Sequence, residues 1–434
     1  MPAKDSKRSQ RDRLIGAIIE LSGQHGYQAL SIAQISARAG VSRATFYEQF
    51  ADREACLLAA YETVAAQTLA RMRASLQAGD WYHAARPAFH QLLEIIQADP
   101  DAGRLMFVEA LTGGPRLREH FVLVLDVVEH DVEALLEGAP AGGQTLDVPA
   151  RALIGAVRHV VSRHLRKRSE DRLTVLADDL IRCMACYVVP AGQPRWSIGP
   201  QSLLAQLPAS LTPAAPAPLP ALPRGRHGLP AAAVARSQRT RILVATAAAT
   251  SAKGYANTTV ADIVAEAGVA KEAFYRHFAD KEQAFLEAQR HANEAILDRV
   301  AEAYFSAEQW PARVWQGLRR LLELIAESPT FSHLRLIEAY RAGAASTRHA
   351  DGMSRSFSIF IEEGYHYRRD AEQLPKLCSQ FISGAILETI QREVALGDTS
   401  EILRRLPQLA YLAIAPFAGP ADAARLVREL SAAG

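Results

Sequence analysis

The sequence is short of several things that define large protein classes. Four cysteines in 434 residues are too few for a disulfide framework. A net charge of +2 is too balanced for a protein coated in nucleic acid along its length, and it suits a small basic footprint on a neutral body. No apolar run approaches the ~18 residues of a membrane span. Residues 1–13, MPAKDSKRSQRDR, are charged with no apolar stretch behind them, unlike a secretory signal. The expected location is the cytoplasm, with no membrane partner. HExxH, GxSxG, GxGxxG before a helix, GxxxxGK[ST] and Cys/His metal spacings are missing, so no enzyme, metal or cofactor is expected. His159 and His164 stand five apart, the wrong spacing for one helical face. Cys183 and Cys186 form a CMAC pair in an apolar helical stretch, which reads as a buried helix face.

What is present is a repeat. Val41 to Glu54, VSRATFYEQFADRE, returns as Val269 to Glu282, VAKEAFYRHFADKE. In each copy a Gly ends one short helix, a second short helix carries a Phe-Tyr pair, and an Asp opens a third. That is the grammar of a DNA-reading helix-turn-helix. The two copies keep one offset without a gap: Gly26-Tyr27 matches Gly254-Tyr255, Ala39-Gly40-Val41 matches Ala267-Gly268-Val269, and Phe50-Ala51-Asp52 matches Phe278-Ala279-Asp280. Agreement of this kind is a duplication. It continues more faintly downstream, where LLEII at Leu92–Ile96 echoes LLELI at Leu321–Ile325, Pro100 echoes Pro329, and Glu109-Ala110 echoes Glu338-Ala339.

Helical spacing of Leu14, Ala17, Ile18 and Leu21 predicts a first helix stopped by Gly26. Ser31 with Gln34 forms a capping-box pattern for the second. Gly40 supplies a left-handed turn residue, and Ser42 and Asp52 cap the third and fourth helices. The bodies show no strand alternation, and Gly or Pro punctuates their helix ends. Between the halves, residues 208–234 are too rich in proline for helix or sheet. They read as a semi-rigid linker of about 3.1 Å per residue where extended.

These strings resemble the TetR family of transcriptional regulators, specifically over residues 10–60 and 238–288 and weakly over the bodies. The resemblance implies an all-α fold in which each unit has a three-helix DNA head and a helical ligand-binding and dimerisation body. The expected division is a disordered basic arm (1–9), a first head (10–56), a first body (57–200), a Pro/Ala-rich linker (201–235), a second head (236–284) and a second body (285–434). The arm reads equally as a solvated tail or as a phosphate or minor-groove contact.

A helix-turn-helix presents the start of its second helix to base edges, while flanking groups hold phosphates. In the first head Arg43, Ala44, Thr45, Tyr47 and Gln49 face out. Arg43 suits guanine, and Thr45 suits a base edge or a thymine methyl. Ser31, Ser42, Tyr47 and Arg53 read as phosphate holders, and the family resemblance supports Tyr47 in that role. The matching set in the second head is Thr259, Ala270, Lys271, Glu272, Tyr275, His277 and Lys281. Ala270 lacks the cap that Ser42 provides, and Glu272 sets a negative charge where phosphates crowd. It either accepts a bond from cytosine or weakens binding. The two heads should therefore read different half-sites of double-stranded operator DNA, or only the first head binds and the chain is otherwise a helical scaffold.

The last two helices of each body, about 150–189 and 373–416, are apolar enough to pair as a four-helix bundle. A monomeric pseudodimer is therefore expected ahead of a homodimer of whole chains. A small apolar effector would lie between body helices, with Trp81, Phe107, His120 and Phe121 in the first body and Trp310, Phe331, Tyr340 and Phe357 in the second as candidate lining.

Overall fold

A computed structural model describes residues 2–77, 79–110, 113–138, 144–168, 173–190, 230–367, 371, 373–397 and 399–433. The expected linker falls mostly outside the described residues. The fold is all-α, with 83% of the described residues helical, and the chain divides into two compact units. The first comprises Met1–Ser197 with Gln373–Ala385, and the second Ile198–Glu372 with Ile386–Gly434.

In the first unit α1 (Pro2–His25), α2 (Ile32–Ala39) and α3 (Arg43–Gln49) form the head, and α4 (Arg53–Ala74) leads into the body. The body continues with α5 (Trp81–Ala98), α6 (Pro100–Arg104) running into a π-turn over Leu105–Glu109, α7 (Pro115–Glu137), α8 (Ala150–Arg166) and α9 (Ala177–Ala185). Two readings need correction. The backbone is helical from Pro2, so the stretch expected as a disordered arm continues α1. The body also contains strands: β1 (Gln144–Leu146) pairs antiparallel with β2 (Val188–Pro190), Leu146 opposite Val188. Pro190 is the last residue of β2, whereas Gly and Pro of the bodies were expected at helix ends. Three residues per strand are too few to show alternation, which is why the pattern escaped notice.

The second unit repeats the order with α10 (Ala231–Lys253), α11 (Val260–Ala267), α12 (Lys271–His277), α13 (Lys281–Phe305), α14 (Trp310–Glu327) and α15 (Pro329–Leu336). After them come α16 (Ala344–Glu362), α17 (Cys378–Leu396), whose residues up to Ala385 group with the first unit, α18 (Leu406–Ala418) and α19 (Pro420–Ala433). Helix α10 begins inside the range assigned to the linker. Pro416 lies within α18, although prolines of the bodies were expected at helix ends. The faint downstream echo is structural: LLEII and LLELI occupy α5 and α14, and Pro100 and Pro329 are the first residues of α6 and α15, where a missing N–H has no helical partner to lose.

Each head shares its core with its own body. In the first, Leu14, Ile18, Ile35, Phe46 and Phe50 bury against Leu57 and Tyr61 of α4 and against Leu105, Leu117 and Phe121 of the body. In the second, Ile242, Ile263, Phe274, Phe278 and Phe285 bury with Leu334 and Ala342.

Candidate nucleic-acid interface

The reading helix of the first head is held at both ends. Ser31 caps α2 in a full capping box, its hydroxyl taking the Gln34 N–H at 3.3 Å while the Gln34 side chain takes the Ser31 N–H at 2.8 Å. Gly40 closes α2 at φ 64°, a left-handed conformation that a Cβ disfavours. The chain then turns, and the Ser42 hydroxyl accepts the Thr45 N–H at 3.0 Å to start α3. Phe46 and Phe50 anchor α3 in the core. With them buried, Ser42, Arg43, Ala44 and Tyr47 are exposed, Tyr47 by 59%. Thr45 and Gln49 are half-buried, and the Thr45 hydroxyl lies 3.0 Å from that of Ser42.

The second head keeps the frame and changes the face. Thr259 and Asp262 form the capping box of α11, and Gly268 turns at φ 60°. Ala270 then starts α12 with no side-chain cap. Lys271, Glu272 and Tyr275 are exposed, Tyr275 by 50%, whereas Ala273, at the register of Thr45, is buried. His277 is half-buried. Burial and the neighbouring Arg276 and Arg239 lower its pKa below the usual imidazole value.

Two expected phosphate holders are turned inward. The Arg53 guanidinium donates to the Leu30 carbonyl and lies 4.3 Å from the Tyr27 ring centre. Lys281 does the same in the second head, donating to the Tyr255 carbonyl at 2.8 Å and lying 4.2 Å from that ring. Both cations brace the turn after the first helix of their head. The candidate residues left exposed are thus Ser31, Ser42, Arg43, Ala44 and Tyr47 in the first head, and Thr259, Ala270, Lys271, Glu272 and Tyr275 in the second.

Sequence reasoning missed further paired roles. Arg11 and Arg239 lie over Phe50 and Phe278, at 4.5 and 5.6 Å from the ring centres. Their common register with the repeat was the available signal. Glu109 and Glu338 are both buried. Glu109 accepts the Tyr27 N–H at 2.9 Å and Glu338 the Tyr255 N–H at 2.7 Å. Each is a carboxylate strut from body to head, placed just after the left-turning Gly26 or Gly254. The first unit adds an exposed clamp in which Arg116 meets Asp52 at 2.6 Å and the Arg116 N–H meets Glu54 at 2.9 Å. The Ala55 N–H bond and Arg116 hold the Asp52 carboxyl below its usual range.

The proposed body residues are dispersed. His120 and Phe121 both meet Tyr61, and Phe121 belongs to the head–body core. Trp81 is buried at the start of α5 and Phe107 is half-buried in the π-turn. Trp310 is buried, donates to the Phe360 carbonyl at 3.1 Å and packs on Phe417. Phe331 packs against the second head core, Phe357 meets Phe360, and Tyr340 is half-buried. Cys183 is buried, and the Cys378 thiol contacts those of Cys183 and Cys186. Among the described residues no group of three or more His, Cys, Asp or Glu is placed to hold a metal, and no helix is long and apolar enough to cross a membrane.

Paired caps, a left-handed glycine and an exposed reading face on a buried Phe anchor define a helix-turn-helix DNA-binding regulator. The family model for bacterial regulatory proteins of the TetR family matches residues 14–60 and again 242–288. Both heads are TetR-family DNA-binding domains, and the chain is a TetR-family regulator with two units in tandem. Over 146 residues it is 24% identical to the HTH-type transcriptional regulator RutR of Escherichia coli, covering 34% of this chain and 69% of that one. Similar solved structures include the fatty acid degradation regulator FadR of Bacillus halodurans, 19% identical with a TM-score of 0.36 over 43% of this chain and 97% of that one. Another is a TetR family regulator from Marinobacter aquaeolei, 23% identical with a TM-score of 0.31 over 42% of this chain and 98% of that one.

Proposed function

We propose that this regulator is a ligand-responsive repressor whose two non-identical heads read an asymmetric operator from within one cytoplasmic chain. The observation that carries the asymmetry is the contrast between the reading helices. The first offers a capped start with exposed Arg43 and Ala44. The second offers an uncapped start with exposed Lys271 and Glu272. Arginine makes a forked contact to guanine that lysine does not reproduce, and a carboxylate beside phosphates selects against most sites.

The test is a footprint of the full chain on DNA flanking its own gene at two salt concentrations. One discrete site with unequal halves, weakening steeply with salt, supports the reading. Halves of equal affinity remove the asymmetry, and protection confined to one half favours the reading in which only the first head binds. In the same assay Ala270→Ser should strengthen the weaker half, since a restored cap stabilises the helix start by about 1 kcal/mol.

We also propose that the two units pair in cis as a pseudodimer, so that half-sites lie about 34 Å or a multiple apart. Sedimentation of the free chain should give 47.3 kDa at low concentration, and twice that mass would replace the pseudodimer with a homodimer.

A further inference from the structure

Arg335 lies on α15 of the second unit, four residues after Phe331 and three before the Glu338 strut. It is only 4% exposed, and its Nε and Nη2 atoms are buried with no hydrogen-bond partner. Among the described residues the titratable group that acts on its charge is the Tyr340 phenol, not a carboxylate. Burial lowers its pKa to about 10. A guanidinium carries five donors and keeps its charge at neutral pH. Protein interiors hold such groups only when they are paired, because leaving water is costly for a lone charge. The nearby acid does not pair with it, since the Glu338 carboxylate is occupied by the Tyr255 N–H and by Arg341 at 2.6 Å.

The first unit provides the comparison. Pro100, Glu109 and Ala110 stand at one common offset from Pro329, Glu338 and Ala339, and at that offset Arg335 corresponds to Met106. Met106 packs against the first head core as a plain apolar side chain. Leu105 and Leu334 likewise correspond, and each is buried in its own head core. The scaffold therefore accepts an apolar residue at this position, and the cation is a feature of the second unit alone.

We propose that Arg335 is the counter-charge for an anionic ligand of the second body, a small molecule with an apolar part and a carboxylate or phosphate group. This rests on the ligand-responsive reading above and narrows it: the effector is an amphiphilic anion, and one body takes it. Of the residues expected from sequence to line a pocket, Phe331 lies one turn before Arg335 and packs against the second head core, and the Tyr340 phenol acts on the Arg335 charge. The ligand would join α15 within one turn of the strut that holds the second head, so occupancy bears directly on the head's position.

The test is thermal melting of the full chain in acetate, benzoate or inorganic phosphate against chloride at matched ionic strength. Ligand binding raises Tm by mass action. At least one oxyanion should raise Tm by about 2–4 °C in the native protein and not in Arg335→Met, which borrows the residue of the first unit and should remain folded. Arg335→Lys should recover part of the shift, because it keeps the charge and loses the fork. Benzoate ahead of phosphate identifies a carboxylate ligand, and the reverse order identifies a phosphate. Equal shifts in native protein and Arg335→Met, or none with any oxyanion up to tens of millimolar, overturn the proposal. A footprint run alongside separates the two readings. An operator site that forms and ignores the anions leaves the regulator standing without this ligand. A melting shift with no footprint keeps the ligand site and removes the operator.

Discussion

Arg43→Ala in the full chain should weaken operator binding by about 10- to 100-fold and relax selectivity at one base pair. A forked arginine–guanine contact carries about 1–3 kcal/mol of discrimination. Arg43 is the first residue of α3, exposed and directly after the Ser42 cap, where a recognition helix enters the major groove. The alanine variant keeps Ser42, Phe46 and Phe50, so the head remains folded and the loss belongs to the contact. Competition with operators altered at single base pairs checks it. A uniform loss across all variants would reassign Arg43 to a phosphate. Lys271→Ala in the second head should cost less and mainly reduce the salt dependence, because an ammonium is a point charge without the fork.

Glu338→Ala should destabilise the second unit by about 2–3 kcal/mol, since hydrogen bonds to a charged group contribute about 1.5–3 kcal/mol and a stranded buried donor adds its desolvation. Glu338 is 1% exposed and accepts from both the Tyr255 N–H and the Arg341 guanidinium. The alanine variant leaves both donors without their acceptor. Glu338→Gln keeps one acceptor and should cost about half as much. Hydrogen exchange at the Tyr255 amide reports the bond directly: fast exchange in the alanine variant is the expected outcome, and undiminished protection would mean that packing alone joins head to body. Glu109→Ala should produce the same change at Tyr27. The first head also has the Arg116 clamp to Asp52 and Glu54, but that clamp is exposed and worth less than about 1 kcal/mol.

Much of this was legible because the signals are local. Caps, left-handed glycines and i,i+4 aromatic pairs are short-range devices, so the boundaries of α2, α3, α11 and α12 follow from the order of residues. The uncapped Ala270 was visible in the same way, as was the likeness of the two halves in α5 and α14. The short β1–β2 ladder was not, because its paired residues are at least 42 apart by sequence number, Leu146 opposite Val188 being the nearest pair, and neither strand is long enough to carry a pattern.

The sequence by itself determined that this is a two-headed, predominantly helical DNA-binding chain whose heads differ in cap and charge, since those properties are carried by neighbouring residues. Only the tertiary structure decided which polar groups face solvent and which are taken up inside. Arg53 and Lys281 look like surface cations until their heads are shown to draw them onto Tyr27 and Tyr255. Glu109 and Glu338 look like helix-surface acids until the fold buries them against a head. Arg335 looks like any arginine on a short helix until its burial and its lack of a partner are seen together. The physical reason is the same in each case: a long side chain reaches several ångströms beyond its backbone position, and whether its charge meets water, an acceptor or nothing is settled by residues that packing, not sequence order, brings beside it.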